Sequence, residues 1–463
     1  MELKTTEINA ALGEVTVLGL SGQRSYLGVS TDTRADCREK LFVALAGDNF
    51  DGNAFLEQAA QAGATGAVIG HTADSGKLPQ GLQYFRVPDT LSALQALAAH
   101  VRRKLPGIRT VAVTGSNGKS TTKALIASVL SRRFKTHATP GNFNNHVGVP
   151  LTLLGLEAEH EVLVAELGAN HRGEIRKLAR LVAPETSVIT NVAPAHLEGF
   201  GSLEGVLRAK LELFEETAAE GMCIYCGDNE PLRKNVPGNF PRTLSFGLSQ
   251  GNDVVASELT LDAGACPSFT LDGNLRINLK LPGRHNVLNA LAAAAVGRTM
   301  GLDDLEIWEG LQAMRPLKMR GRIVRSGSLK VFDDSYNANP LSMREALATL
   351  AALEHDGPRA AVLGQMLELG PESEKLHLEL AEHLAGYTLK LVVFVGEYAK
   401  KMKEACLRSG GKTAVFAAAD ADQAADVLLN EIEGNELILV KASRGVRLER
   451  VIEKLESRQQ EPG

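Results

Sequence analysis

Short apolar runs alternate along this chain with longer stretches whose apolar positions recur every three or four residues. That alternation predicts buried strands separated by amphipathic helices, the pattern of α/β folds built on parallel sheets. Up to about residue 88, strand-like runs at 14–19 and 66–69 accompany a helix over 53–62. A connecting helix over 91–103 leads to Pro106-Gly107. A second block then carries strands at 110–113, 162–165 and 186–190 and helices at 119–133, 203–218 and 287–300. Within it, 253–280 reads as short antiparallel strands inserted into the parallel pattern. The alternation restarts after 316, with strands at 329–333, 359–363, 390–395, 413–416 and 436–440 between helices at 341–353, 373–385 and 421–429. The expectation is an α/β chain of three domains. These are a small domain over 1–88, a central sheet with a β insertion over 89–315, and a Rossmann-like doubly wound sheet over 316–463. The last residues, 458–463, read as frayed.

The most specific chemistry lies where a β-branched strand meets a helix. Thr114 to Thr122 read TGSNGKSTT. A glycine-rich turn ending in Gly-Lys-Ser is suited to a polyphosphate, because backbone N–H groups and a helix N-terminus converge on the anion. Lys119 would reach the β- and γ-phosphates, and the Ser120 hydroxyl would ligate Mg²⁺. The usual phosphate-loop spacing has glycine where this chain has Val113.

Composition narrows the class. At 463 residues, with 44% hydrophobic and 23% charged residues, the chain fits a multi-domain globular protein. A net charge of −5 leaves no electrostatic footprint for nucleic acid. The start lacks the apolar stretch of a signal peptide, and no run is long enough to span a bilayer. Five thinly spread cysteines point to reduced thiols and a cytoplasmic setting. Cys223 and Cys226 form a C-x-x-C, but no second pair or nearby histidine completes a zinc set, so they read as structural.

Other candidates fall at strand ends, where open α/β sheets bind ligands. Glu166 in AELGAN and His196 in NVAPAHLEGFG join Ser120 as possible metal ligands. Carboxylate, hydroxyl and water suit Mg²⁺, whereas an imidazole points to a second ion or to Mn²⁺ tolerance. On spacing alone, Lys210 in RAKLELF reads as an exposed helix lysine. Asn286 and Asn289 share a helix face and could read an adenine edge, or Asn286 could serve as a cap. Arg320 and Arg322 sit at a junction where a phosphate could be clamped. In VFDDSYNANPLSM, Asp333 and Asp334 end a strand, as metal ligands or as acceptors for a ribose hydroxyl. The VSTDTR segment from Val29 and the LFVALAGDNFDG segment from Leu41 read as turn chemistry.

Taken in order, TGSNGKSTT, the Glu166 and His196 segments, GRHNVLNALAA, MRGR and DDSYNANPLSM resemble the Mur ligase family across nearly the whole chain. Those enzymes use ATP to add amino acids to the UDP-N-acetylmuramic acid peptide of bacterial peptidoglycan. Within the family SYNANP, VLGQMLELG (Val362–Gly370) and GNFNNHVGVPLTLL (Gly141–Leu154) are similar to the members that perform the last addition. The resemblance therefore implies UDP-N-acetylmuramoyl-tripeptide and D-alanyl-D-alanine as substrates, ATP and Mg²⁺ (two ions) as cofactors, and a monomer. It implies that Gly115, Ser116, Asn117, Gly118, Lys119, Ser120, Thr121, Asn286, Asn289, Arg320 and Asp334 bind ATP. Ser30, Thr31, Asp32 and Arg34, with the FVALAGDNFDG loop, would bind the UDP-sugar. Asn142, Asn144 and Asn145 would lie near the muramoyl peptide and γ-phosphate, and Tyr336, Asn337 and Asn339 would contact substrate. Lys119, Glu166, His196 and Lys210 become the catalytic set. Lys210 matches a family lysine that is carbamylated in several members and then joins Ser120, Glu166 and His196 as a metal ligand. Lys441 to Arg444 resembles a KGSR segment with alanine for glycine. A folylpolyglutamate synthase shares the phosphate loop but would lack a UDP-sugar domain. An earlier Mur ligase would lack SYNANP, and a plain ATPase would turn over ATP without an acceptor.

Overall fold

The computed structural model describes residues 2–13, 15–47, 50–326, 329–410 and 412–458. Glu14 of the first expected strand, Asp48 and Asn49 of the FVALAGDNFDG loop, and the tail from 459 lie outside the described residues.

Three large sheets organise the chain. The first has five strands in the order Thr16–Gly19, Gln83–Arg86, Gly66–Ile69, Leu41–Val43, Val29–Ser30, parallel except for its first pair. The second has nine. Thr136–Ala138, Val162–Glu166, Arg109–Thr114, Thr186–Ile189, Met222–Cys226 and Thr243–Gly247 run parallel. Val254–Leu261 extends that parallel order, and Pro267–Leu271 and Leu275–Asn278 then fold back antiparallel, as the 253–280 pattern predicts. The third has six strands, in the order Arg322–Ser326, Leu329–Asp333, Leu437–Lys441, Arg359–Gly364, Leu391–Val395, Ala414–Ala418, with only the first pair antiparallel.

Strands such as Val162–Glu166, Leu391–Val395 and Leu437–Lys441 are buried at every position. Helices cover both faces of such sheets, so continuous apolar runs replace alternation. The strand Arg109–Thr114 lies between Val162–Glu166 and Thr186–Ile189. The chain departs from it to one side, returns beside it and then continues on the other, which makes its carboxyl end a topological switch point. The phosphate loop springs from that end.

Some elements differ from the pattern. The helix expected over 53–62 splits into a 3₁₀ turn, Gly52–Phe55, and an α-helix, Leu56–Gln61. The helix expected to reach 133 ends at Leu130, where Ser131 caps it. Arg322–Ser326, read as part of a junction, forms an edge strand. Arg458, read as fraying, closes the helix Glu449–Arg458.

The helix Thr90–Lys104 bridges the first and second sheets. Asp89 caps it by accepting from the Leu91 and Ser92 N–H groups, and Ala93, Leu94, Leu97, Ala98 and Val101 form its buried face. The apolar core joined by this face is continuous from Leu3 to Leu311. The third sheet has a core on each of its two faces, one of which takes in Ala265 from the β insertion. Leu97→Ala should therefore cost about 2–5 kcal/mol by cavity formation. In differential scanning calorimetry the first two sheets should melt together at a lower temperature while the third-sheet transition stays put. A third-sheet transition that moves equally would contradict this separation of cores.

Candidate active site

Gly115 has φ +150°, and a Cβ there would lie 1.9 Å from Thr190 Oγ1. Gly118 has φ +77°, and its Cβ would meet Asn289 Oδ1 at 2.4 Å. Both positions therefore require glycine. Ser116 Oγ donates to Ala193 O and accepts from Ala193 N–H, Asn117 N–H donates to Asn191 Oδ1, and Thr190 Oγ1 donates to Asn117 O. These bonds fix the loop to the end of the neighbouring strand. Gly118 caps the helix Lys119–Leu130, whose first N–H groups have no intrahelical acceptor and are free for an anion.

Lys119 folds over this loop, donating to Gly115 O at 2.7 Å and Ser116 O at 3.2 Å. Burial pushes its ammonium down to about 8, with Glu166 opposing and Arg320 adding to the shift. Ser120 Oγ donates to Glu166 Oε1 at 3.0 Å, and Asn144 Nδ2 donates to the same oxygen at 2.8 Å. Glu166 Oε2 is buried with no hydrogen-bond partner. An orphaned carboxylate oxygen beside a serine hydroxyl fits a hard divalent cation such as Mg²⁺. Among the described residues no three His, Cys, Asp or Glu side chains converge on a metal position. A second cation would thus need ligands from elsewhere.

Lys210 corrects the expectation of an exposed helix lysine, since it is only 1% exposed. It lies on Leu203–Glu215, a helix whose buried face is wider than its spacing indicated. Its Nζ sits 5.5 Å from the centroid of the Phe200 ring and has no hydrogen-bond partner among the described residues. Burial pushes this ammonium down to about 7. The Lys119 charge adds to the shift, while Glu212 and Glu174 oppose it. His196 packs edge-on against the same Phe200 ring, at 6.4 Å between centroids.

Across the cleft, the third sheet presents Asp334. Its carboxylate accepts from Gly321 N–H at 3.1 Å and from the buried Lys441 Nζ at 2.6 Å. Lys441 also donates to Asn337 O, which holds the SYNANP turn. Alanine at 442, where the resembling segment has glycine, is accommodated because residue 364 is glycine. A Cβ at Gly364 would stand 2.5 Å from that of Ala442. Arg320 stacks on Tyr336, its guanidinium 3.8 Å from the ring centroid. Asn339 Nδ2 donates to Asn117 Oδ1 at 2.6 Å, a direct bond between the SYNANP turn and the phosphate loop.

One cavity of about 470 Å³ gathers most of the expected residues: Ser116 to Thr121, Asn144, Asn145, Glu166, His196, Asn286, Asn289, Arg320, Asp334, Tyr336, Asn337 and Asn339. Gly115, the buried Lys210 and the exposed Asn142 are outside its wall. Ser30, Thr31, Asp32 and Arg34 are not in its wall. They form a separate turn in which Asp32 accepts from the Arg34 backbone and guanidinium. Asn286 Oδ1 accepts from Asn289 Nδ2, whose own Oδ1 accepts from Thr122, so both asparagines are tied into the helix bundle. Sequence reasoning missed the buried Lys123, one turn after Lys119. It anchors the Asn142–Asn145 loop by donating to Thr139 O at 2.6 Å. It also passed over Glu368, inside a segment that had been singled out.

Known proteins agree with this arrangement. The Mur ligase middle domain matches residues 113–297, and the Mur ligase, glutamate ligase domain matches residues 319–444. This chain belongs to the Mur ligase family. Within the family it is similar to UDP-N-acetylmuramoyl-tripeptide–D-alanyl-D-alanine ligases. The Escherichia coli (strain K12) enzyme of that name is 39% identical over 435 residues, covering 92% of this chain and 93% of that one. The crystal structure of MurF from Acinetobacter baumannii superposes with a TM-score of 0.86 at 31% identity over 99% of both chains. A MurF ligase from Thermotoga maritima in complex with ADP gives a TM-score of 0.78 at 28% identity, covering 94% of this chain and 98% of that one.

The depressed Lys119 makes a direct prediction. Phosphate oxygens favour its charged form, so nucleotide binding near pH 8 should take up a proton. Uptake should vanish roughly two units lower, where the amine is already protonated. Calorimetry in buffers of different ionisation enthalpy reads this out. Lys119→Ala should lose the uptake and about 10³-fold in ligation rate. Nucleotide binding with no buffer dependence near pH 8 would contradict the assignment.

Proposed function

We infer that this chain is an ATP-dependent amide ligase that joins D-alanyl-D-alanine to UDP-N-acetylmuramoyl-tripeptide through an acyl phosphate, yielding the pentapeptide precursor of peptidoglycan. The observation that carries the reading is the single cavity in which a phosphate loop faces the SYNANP turn, with Asn117 bonded to Asn339.

The tripeptide carboxylate attacks the γ-phosphorus of ATP, releasing ADP and leaving a mixed anhydride. The amine of D-alanyl-D-alanine then attacks the acyl carbon, and phosphate leaves through a tetrahedral intermediate. Catalysis rests on holding these anions together. Lys119 and the loop N–H groups neutralise the transferring phosphoryl group, and Arg320 supplies a further cation at the cleft. Asn144 orients Glu166, and Asp334, itself fixed by Lys441 and Gly321, accepts from the ribose. Asn286 and Asn289 border the base.

Ser120 and Glu166 would hold Mg²⁺, whose charge would offset that of the phosphates. His196 and a carbamylated Lys210 would serve a second ion. The support for the carbamate is a buried amine with no hydrogen-bond partner whose neutral form is populated near neutral pH. The turn of Ser30, Thr31, Asp32 and Arg34 is assigned to the UDP-sugar, and Tyr336, Asn337 and Asn339 with Asn142 and Asn145 to the peptide substrates. Domain roles follow as UDP-sugar binding over 1–88, ATP binding over 89–315 and acceptor docking over 316–463. A cytoplasmic monomer fits five free cysteines and the absence, among the described residues, of any helix able to cross a membrane.

The test is to supply ATP, UDP-muramoyl-tripeptide and a panel of D-amino acids and dipeptides, then weigh the product. The dipeptide adduct with one ADP per product is expected. A single-residue adduct, or ATP turnover without any acceptor, would contradict the reading. For the carbamate, ¹³C-bicarbonate should give a carbamate resonance in the native protein that Lys210→Ala lacks. Lys210→Ala should slow ligation sharply, with partial rescue by short carboxylic acids, and Lys210→Arg should not restore it. An arginine variant with near-normal rate rules the carbamate out.

A further inference from the structure

The loop Met366–Gly370, at the carboxyl end of the strand Arg359–Gly364, crosses from the third sheet onto the turn that carries His196. Glu368 Oε2 pairs with His196 Nδ1, and the backbone Glu198 N–H donates to Glu368 O at 3.1 Å. Gly370 packs beside Glu198, where an added Cβ would approach its Cα to 3.3 Å. His196 and Glu368 both have positive φ, +52° and +63°, although neither is glycine. Two residues held in a sparsely populated backbone region therefore meet at one contact between the central and C-terminal parts of the chain.

The chemistry of that contact is directional. A carboxylate only accepts, so Nδ1 carries a proton, and in the neutral ring Nε2 is the nitrogen left with a lone pair. The His196 ring makes no other hydrogen bond among the described residues, and it lines the cavity. The Phe200 ring packs edge-on against the imidazole, 6.4 Å between centroids. We propose that Glu368 is a positioning residue for the ligation reaction: it sets the His196 tautomer so that Nε2 is presented to the cavity. Because Glu368 belongs to the third-sheet part and His196 to the second, the imidazole is set only when the two parts are docked. Assembly of the site is thereby tied to closure. The inference rests on the ligase reading for its kinetic consequence, but its structural half does not.

Two variants of the full chain test it. Glu368→Ala removes the acceptor, whereas Glu368→Gln keeps an oxygen able to accept from Nδ1–H. Long-range ¹H–¹⁵N spectra of ¹⁵N-histidine-labelled protein, with His196 assigned by its own substitution, report the tautomer without substrate or metal. The native protein and Glu368→Gln should show protonated Nδ1 and bare Nε2, and Glu368→Ala should lose that signature. In ligation assays Glu368→Ala should lower kcat by about 10–100-fold, the usual cost of removing such a partner, with KM for ATP little changed. Glu368→Gln should recover most of the loss. An unchanged tautomer in Glu368→Ala, or a kcat within about twofold of native in that variant, would overturn the proposal. A fall in kcat with the tautomer intact would also overturn it, since the contact would then be a latch alone. Failure of the ligase reading itself appears differently, as a native protein that forms no dipeptide adduct.

Discussion

Two anions must meet in this enzyme, and their mutual repulsion is the constraint around which the rest is arranged. A carboxylate cannot approach a polyphosphate in water without losing much of its solvation and facing like charge. In the proposed reaction the meeting point is the switch point of the central sheet, where a helix N-terminus and a glycine-bounded loop supply fixed partial positive charge. Lys119 contributes a cation whose pKa burial has lowered to about 8. In the proposed reaction, arriving phosphates would favour its charged form. The same low-dielectric pocket leaves one oxygen of Glu166 unpartnered. The site is incomplete by itself, and its ligands supply the missing charge.

The second constraint is that the site is split. The phosphate loop belongs to one sheet, and Asp334, Lys441 and the SYNANP turn belong to another with its own cores. Contacts that bridge them include Asn339 on Asn117, Glu368 on His196, His285 near Glu345 at 3.7 Å, the Glu354 N–H donating to Ala263 O at 2.9 Å, and Ala265 buried in one core of the third sheet. Most are single polar contacts, with Ala265 and Leu376 adding small apolar ones, an arrangement that lets docking be reversed. That suits an enzyme that admits two large substrates and then excludes water from an acyl phosphate. The first sheet behaves differently. One of its faces shares the central core through the helix Thr90–Lys104, which ties it to the second sheet, while its other face has a core of its own.

Local demands were legible in the chain and long-range ones were not. Gly115 and Gly118 announce themselves because backbone conformation and close approach exclude any side chain. Strand ends followed by Glu166, Thr190 and Asp334 are equally local signals. Lys210 was not legible by spacing, because its burial depends on what the helix packs against, and no periodicity reports that. Lys123 is a similar case, a lysine on a helix whose partners, Thr139 O and Gly141 O, come from a loop beyond the helix. Glu368 lies in the Val362–Gly370 segment, which entered only through the family resemblance. Its partner stands 172 positions away. Arg322–Ser326 was missed because a short edge strand bounded by arginines and next to Gly321 looks like a linker.

The central claim is that the tripeptide carboxylate becomes an acyl phosphate within the cavity. The direct measurement is isotope transfer. UDP-muramoyl-tripeptide carrying ¹⁸O in its terminal carboxylate is turned over with ATP and D-alanyl-D-alanine, and the released inorganic phosphate is weighed. One ¹⁸O per phosphate is predicted, since the carboxylate oxygen that attacks phosphorus leaves with it. Phosphate bearing no label, alongside normal product formation, would contradict the mechanism.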